Sequence, residues 1–101
     1  MKKNHTIILI QYTSSYASRT FIDFGSINDA LDAVVNMYQT KLKELNPSQS
    51  SITYEITHLE TYIDSLEDIC ALVLDTDNKY QPYDKAWIKK KIAALLRGQA
   101  K

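Results

Sequence analysis

Four consecutive apolar residues, Ile7-Ile8-Leu9-Ile10, stand between Thr6 and Gln11. A β-strand sends alternate side chains to opposite faces, so a strand with one wet face reads apolar, polar, apolar. An unbroken run asks for cover on both sides. A chain of 101 residues is expected to form one domain, with a core large enough to fold unaided and too small for many layers. The second cover is therefore scarce within the chain, and that scarcity constrains both fold and function.

The rest of the chain supplies familiar elements. Thr6–Gln11 is a first strand, and Tyr12–Ser18, rich in Ser and Thr, a loop. Arg19–Phe24 holds the strand formers Thr20, Phe21, Ile22 and Phe24 and pairs with the first strand as a hairpin. Gly25 breaks the pattern. Ser26, followed three residues later by Asp29, reads as a helix N-cap with an acid in the first turn. Ile27, Ala30, Leu31, Val34, Val35, Tyr38, Leu42 and Leu45 then recur at three- and four-residue steps, the mark of a long amphipathic helix that Asn46-Pro47 ends.

Pro47–Ser51 is a polar loop, and Thr57 with Glu60 suggests a capping box opening a short helix through Leu66. Ile69–Leu74 is a second uniformly apolar run, read as a strand, although its length also suits a helical turn. Asp75–Asn78 is a turn, and Lys79–Pro82 a short strand whose proline suits an edge. Asp84 caps a last helix with Trp87, Ile88, Ile92, Leu95 and Leu96 inward, and Gly98 is placed for a C-terminal stop.

The order ββααββα predicts a single α+β domain over residues 1–101, a four-stranded antiparallel sheet with three helices on one face. The other face stays open and apolar. Monomers seldom expose contiguous apolar patches beyond a few hundred Å², so the expectation is a homodimer joined sheet to sheet about a two-fold axis. One strand phase puts Ile7 and Leu9 on the open face and Ile8 and Ile10 against the helices; periodicity leaves the phase undecided.

Charge excludes some functions and leaves others open. Residues 1–54 carry five Lys/Arg and four Asp/Glu, residues 55–78 seven acids and no Lys/Arg, and residues 79–101 seven bases against Asp84, for a net charge of zero. This asymmetry means either a basic binding face or an acidic segment lying beside the basic helix. Tyr80-Gln81-Pro82-Tyr83, Trp87 and Lys89-Lys90-Lys91 suggest bases stacked beside a phosphate-binding run, which makes direct single-stranded RNA binding the alternative function. Against it, Trp87 facing the core and lysines on a solvated face account for the same residues, and no RNA-binding module signature is present.

No site chemistry is nominated. The apolar run after His5 is far too short for a membrane span or a signal peptide, and the one cysteine, Cys70, makes no internal disulfide, as suits a reducing compartment. Cys70 reads as a packed core residue. His5 and His58 have no companions at metal spacing, two glycines cannot build a phosphate loop, and Asp64, Glu67 and Asp68 lack a basic or nucleophilic partner. The expectation is no enzyme, no cofactor and no metal. Thr20 and Ser26 each precede an acid by three residues, Asp23 and Asp29, a pattern that suits acid-directed kinases beside the plainer roles of strand residue and helix cap.

Several segments together carry a resemblance: His5–Gln11, Met37-Tyr38 with Leu42-Lys43 and Asn46-Pro47, Ser51–Ile56, and Tyr80–Lys89. With these, from about His5 to Ala100, the chain resembles the enhancer of rudimentary homolog family. The resemblance implies the same sheet and three helices, dimerisation through the open face, and the phase that gives Ile7 and Leu9, with Phe21, Leu72 and Leu74, to the dimer contact. It also implies a non-enzymatic nuclear adaptor, present also in the cytoplasm, that binds segments of RNA-associated proteins in transcription, splicing, RNA processing or decay. Tyr80, Tyr83 and Trp87 are the candidate aromatic contacts for such a partner, Thr20 and Ser26 the candidate phosphorylation positions, and neither direct nucleic-acid binding nor membrane contact is expected. One departure stands out: in Leu59-Glu60-Thr61-Tyr62-Ile63-Asp64, Glu60 and Thr61 replace the family's aromatic and acid. Helix packing through Leu59, Tyr62 and Ile63 is kept, whereas a partner surface there would be altered.

Overall fold

The computed structural model describes residues 4–48 and 54–99. Strand β1 (Thr6–Gln11) is followed by a 3-10 turn (Tyr16–Ser18), β2 (Arg19–Phe24), α1 (Ile27–Leu45), α2 (Ile56–Ser65), β3 (Asp68–Leu74), β4 (Tyr80–Tyr83) and α3 (Lys85–Gln99). The sheet has the order β2-β1-β3-β4 with every neighbouring pair antiparallel. All three helices lie on one side, and the shortest principal extent is 20 Å. That is the thickness of a sheet plus one helix layer.

The strand phase follows from burial. Ile8 and Ile10 are 2% and 3% exposed and meet the helices, as do Ile69, Ala71 and Val73 of β3. They pack with Leu31, Val34 and Val35 of α1, Leu59 and Ile63 of α2, and Ile88 and Ile92 of α3. Ile7 and Leu9 point the other way. Thr6 is buried, and its hydroxyl donates to the Asn4 carbonyl at 2.8 Å. Among the described residues no buried side-chain polar atom lacks a hydrogen-bond partner, as expected of a well-formed interior.

Local chemistry sets the element ends. Ser26 caps α1, its Oγ accepting from the Asp29 amide at 3.1 Å. Asp84 does the same for α3, its Oδ1 accepting from the Trp87 amide at 3.0 Å. The expected cap of α2 moves: the helix opens at Ile56, with Glu55 at the cap and its N–H donating to His58 Nδ1 at 3.3 Å, so Thr57 and Glu60 already lie in the helix. The Thr57 carbonyl there accepts from the Thr61 hydroxyl at 2.9 Å. Its end moves too, since Leu66 is the C-cap beyond Ser65.

Other expectations are adjusted. Part of the Tyr12–Ser18 loop is the 3-10 turn, held by Ser15 Oγ accepting from the Ala17 amide at 3.2 Å. β3 begins one residue early, because Asp68 pairs with Gln11. Leu45, counted on the apolar stripe of α1, is 66% exposed at the helix end, where no other layer reaches it. Gly98 does not stop α3; neither glycine adopts the positive φ of a helix-ending turn, and the helix continues to Gln99. The polar loop expected over Pro47–Ser51 falls largely outside the described residues, as does the matching segment Ser51–Thr53.

β4 begins at Tyr80, not Lys79, because Asp75 claims Lys79 for the turn. Asp75 Oδ1 accepts from the amides of Asp77 and Lys79 at 2.8 and 3.0 Å, and Oδ2 from Gln81 Nε2 at 2.8 Å. Asn78 takes the left-handed conformation, φ 61°, that closes the turn. The Gln81 and Lys79 hydrogen bonds hold the Asp75 carboxyl below its ordinary value. A folded state that binds the proton less readily than the unfolded one has this stabilisation in full above the ordinary carboxylate value of about 3.9. It is lost as pH falls through the lower folded value. Carboxyl NMR titration is expected to give Asp75 a midpoint below those of exposed aspartates, restored toward the ordinary value in Gln81→Ala; an ordinary midpoint in the parent chain would contradict this account of the turn.

Candidate functional site

Among the described residues, no element covers the second face of the sheet. Residues directly opposite one another in neighbouring strands share a face. Leu9 therefore lies between Phe21 and Cys70, and Ile7 between Asp23 and Leu72. Leu72 in turn faces Pro82, and Leu74 faces Tyr80. All five expected dimer-contact residues, Ile7, Leu9, Phe21, Leu72 and Leu74, thus stand on this side. Leu9 is 37% exposed and Phe21 68%, high values for side chains of this size. A shallow cavity of about 360 Å³ opens among Leu9, Phe21 and Cys70.

Cys70 is placed differently from the expectation. It is not in the helix-side core but half-buried on the open face, one residue out of phase with Ile69 and Ala71, which are inside. Burial, and then the Asp68 charge, push its thiol pKa up. It therefore stays protonated and unreactive near neutral pH.

Polar groups bracket the apolar centre at both ends of β1. At one end the ring of His5 reaches across the sheet, with Nδ1 2.7 Å from the Tyr80 hydroxyl and Nε2 3.1 Å from Asp23 Oδ2. Tyr80 meets the same imidazole edge to face, ring centres 5.9 Å apart. At the other end Arg19 Nε donates to Gln11 Oε1 at 2.9 Å, and its guanidinium lies 4.2 Å from the centre of the Tyr16 ring. An apolar centre with a hydrogen-bonded rim is the anatomy of a protein–protein contact.

The three aromatic candidates do not form one cluster. Tyr80, 42% exposed, belongs to the open face. Tyr83 faces the helices and stacks on Trp87 at 4.2 Å between ring centres, 21° from parallel. Both rings pack partly against the core, so one face of the indole is taken. Lys91 Nζ lies 5.7 Å from the same ring, and Lys89 Nζ is bound to Asp64 Oδ1 at 2.9 Å. Lys85 Nζ donates to the Leu66 carbonyl at 3.0 Å. The acidic stretch around α2 therefore lies beside the basic α3, joined to it through Asp64 and Lys89.

Thr20 is exposed on β2, and Ser26 is engaged as the cap of α1. Among the described residues, no three His, Cys, Asp or Glu side chains gather as a metal site, and no helix is long and apolar enough to cross a membrane. A second hollow, of about 550 Å³, was not foreseen: Tyr12, Met37, Tyr62 and Leu66 line it between α1, α2 and the end of β1. Burial and the nearby Tyr12 raise the Tyr62 pKa. Its lining comes from separate segments, so no short-range spacing announces it.

Known proteins are similar in sequence along almost the whole chain. The family model described as enhancer of rudimentary matches residues 2–101. The enhancer of rudimentary homolog of Dictyostelium discoideum is 48% identical over 95 residues, covering 93% of this chain and 95% of its own. The homolog of Arabidopsis thaliana is 50% identical over 88 residues, 86% of this chain and 81% of its own. The protein enhancer of rudimentary of Drosophila virilis is 43% identical over 98 residues, 96% and 94% of the two chains. None of these names is that of an enzyme. With the match running from the first strand to the last helix, the chain belongs to the enhancer of rudimentary family.

Proposed function

We propose that this protein is a non-enzymatic, homodimeric adaptor that acts in the nucleus and binds segments of RNA-associated proteins in transcription, splicing, RNA processing or decay. The observation that carries the dimer is the bare apolar sheet face, with Leu9 and Phe21 open to water in a body only 20 Å thick. A standard interface buries roughly 800 Å² per partner, about an eighth of the 6897 Å² that the chain exposes. Family membership supports the adaptor reading.

A two-fold dimer presents every partner site twice, which raises the effective concentration of whatever the second site engages. Tyr80 at the rim of the open face, and the Tyr83–Trp87 stack beside the β4 edge, are the aromatic contacts for a partner segment. A phosphate at Thr20 would add charge to β2, and one at Ser26 would change the cap of α1.

Affinity capture from native nuclear extract, with and without nuclease, tests the reading. Partners are expected to persist after RNA is destroyed and to be RNA-associated proteins. Their loss with the RNA would overturn the adaptor and favour direct RNA contact by α3.

A further inference from the structure

The two edges of the sheet are not alike. β4 is four residues long and contains Pro82, which has no N–H to offer an added strand. β2 runs six residues without proline, and five of the six are exposed, including Phe21 and Ile22 at 68% and 43%. A free edge of this kind is a template for another strand.

Its side chains specify which strand. On the open face β2 presents Arg19, Phe21 and Asp23 in a row: cation, aromatic, anion. Turned antiparallel, the complement of that row is the same row read backwards. A two-fold axis through Phe21 sets Arg19 of each copy opposite Asp23 of the other, Phe21 opposite Phe21, and Thr20 opposite Ile22 on the other side of the sheet. Opposite charges and aromatic pairs facing across strands are favourable, and like charges there are not.

From this self-complementarity we propose that β2 pairs edge to edge with β2 of a second copy, joining two four-stranded sheets into one of eight strands. The contact is isologous, as a closed two-fold assembly requires. The groups it needs are at hand. Arg19 uses only Nε on Gln11, and Asp23 only Oδ2 on His5, among the hydrogen bonds of the described residues. Phe21 is common to the edge contact and the sheet-face contact, whereas Ile7 and Leu9 belong to the face alone, so the edge contact would add to the sheet-face dimer and double it.

Sedimentation velocity of the full chain over rising concentration reads the proposal as a doubling of whatever mass is present at high dilution. The parent chain is expected to double. Arg19→Asp and Asp23→Arg, each alone, place like charges opposite one another and are expected to weaken the doubling by at least about tenfold. An equimolar mixture of the two restores opposite charges across a heterotypic edge and is expected to recover it, as is the double swap R19D/D23R in one chain. A parent chain that keeps a single mass up to its solubility limit, or single variants that double as the parent does, would overturn the proposal. Because the readout is relative to the dilute unit, it separates failure of the edge contact from failure of the face contact, which Leu9→Arg addresses.

Discussion

Leu9→Arg is expected to convert the proposed dimer into a soluble monomer. Leu9 lies in the second strand position from one edge, flanked by Phe21 and Cys70 across the open face, and its 37% exposure leaves room for a longer side chain in the isolated subunit. Folding of the monomer is therefore little affected. In a face-to-face dimer the guanidinium would be driven into an apolar contact. An uncompensated buried charge costs about 3–5 kcal/mol, which is two to three orders of magnitude or more in dissociation constant. Light scattering or sedimentation equilibrium at micromolar concentration reads the result directly. An unchanged dimer mass would refute the face contact; the nearest acids on that face, Asp23 and Asp68, pair with Ile7 and Gln11, two residues to either side of position 9.

The second large effect lies on the opposite side of the sheet. Leu59→Ala removes a side chain with no exposure at the centre of the helix layer, where α2 meets the core. Loss of a buried leucine leaves a cavity and costs about 2–5 kcal/mol, against a total of about 5–15 kcal/mol for a domain of ordinary stability. The midpoint of thermal unfolding is expected to fall by roughly 10 °C or more. A Glu60→Ala control, one residue on and partly exposed, should change it little. Equal losses in the two variants would mean that α2 is not fixed by Leu59.

The strands and the long helix were legible because their signals are local. Apolar runs bounded by polar turns marked β1, β2 and β3, and Ser26 three residues before Asp29 marked the start of α1. The misses share a cause: each depends on a group that acts outside its own element. Asp75 pulls Lys79 into the turn through hydrogen bonds that no propensity encodes. Glu55 and His58 cap α2, a ring nitrogen accepting from the cap amide where the Glu60 carboxylate was the expected acceptor. The run Ile69–Leu74 carries no alternation, so the side taken by Cys70 was settled only by its pairing with Leu9. For the candidate site, the open face could be anticipated from layer count alone. The separation of Tyr80 from Tyr83 and Trp87 emerged only once β4 was found to run through Tyr83, since residues three apart in one strand fall on opposite faces.

The central pairing of the sheet has a kinetic consequence. β1 and β3 are joined through pairs such as Gln11–Asp68 and Thr6–Val73, so most of the polypeptide must emerge before the middle of the sheet can close. Contacts of such long sequence separation slow folding, since loop closure comes before the contacts that reward it. During synthesis the β1–β2 hairpin, with α1 at hand to cover one of its sides, would wait with the inner edge of β1 unpaired until β3 arrives. The nascent chain is thus the stage most prone to misassociation, and the one at which a chaperone has the most to protect.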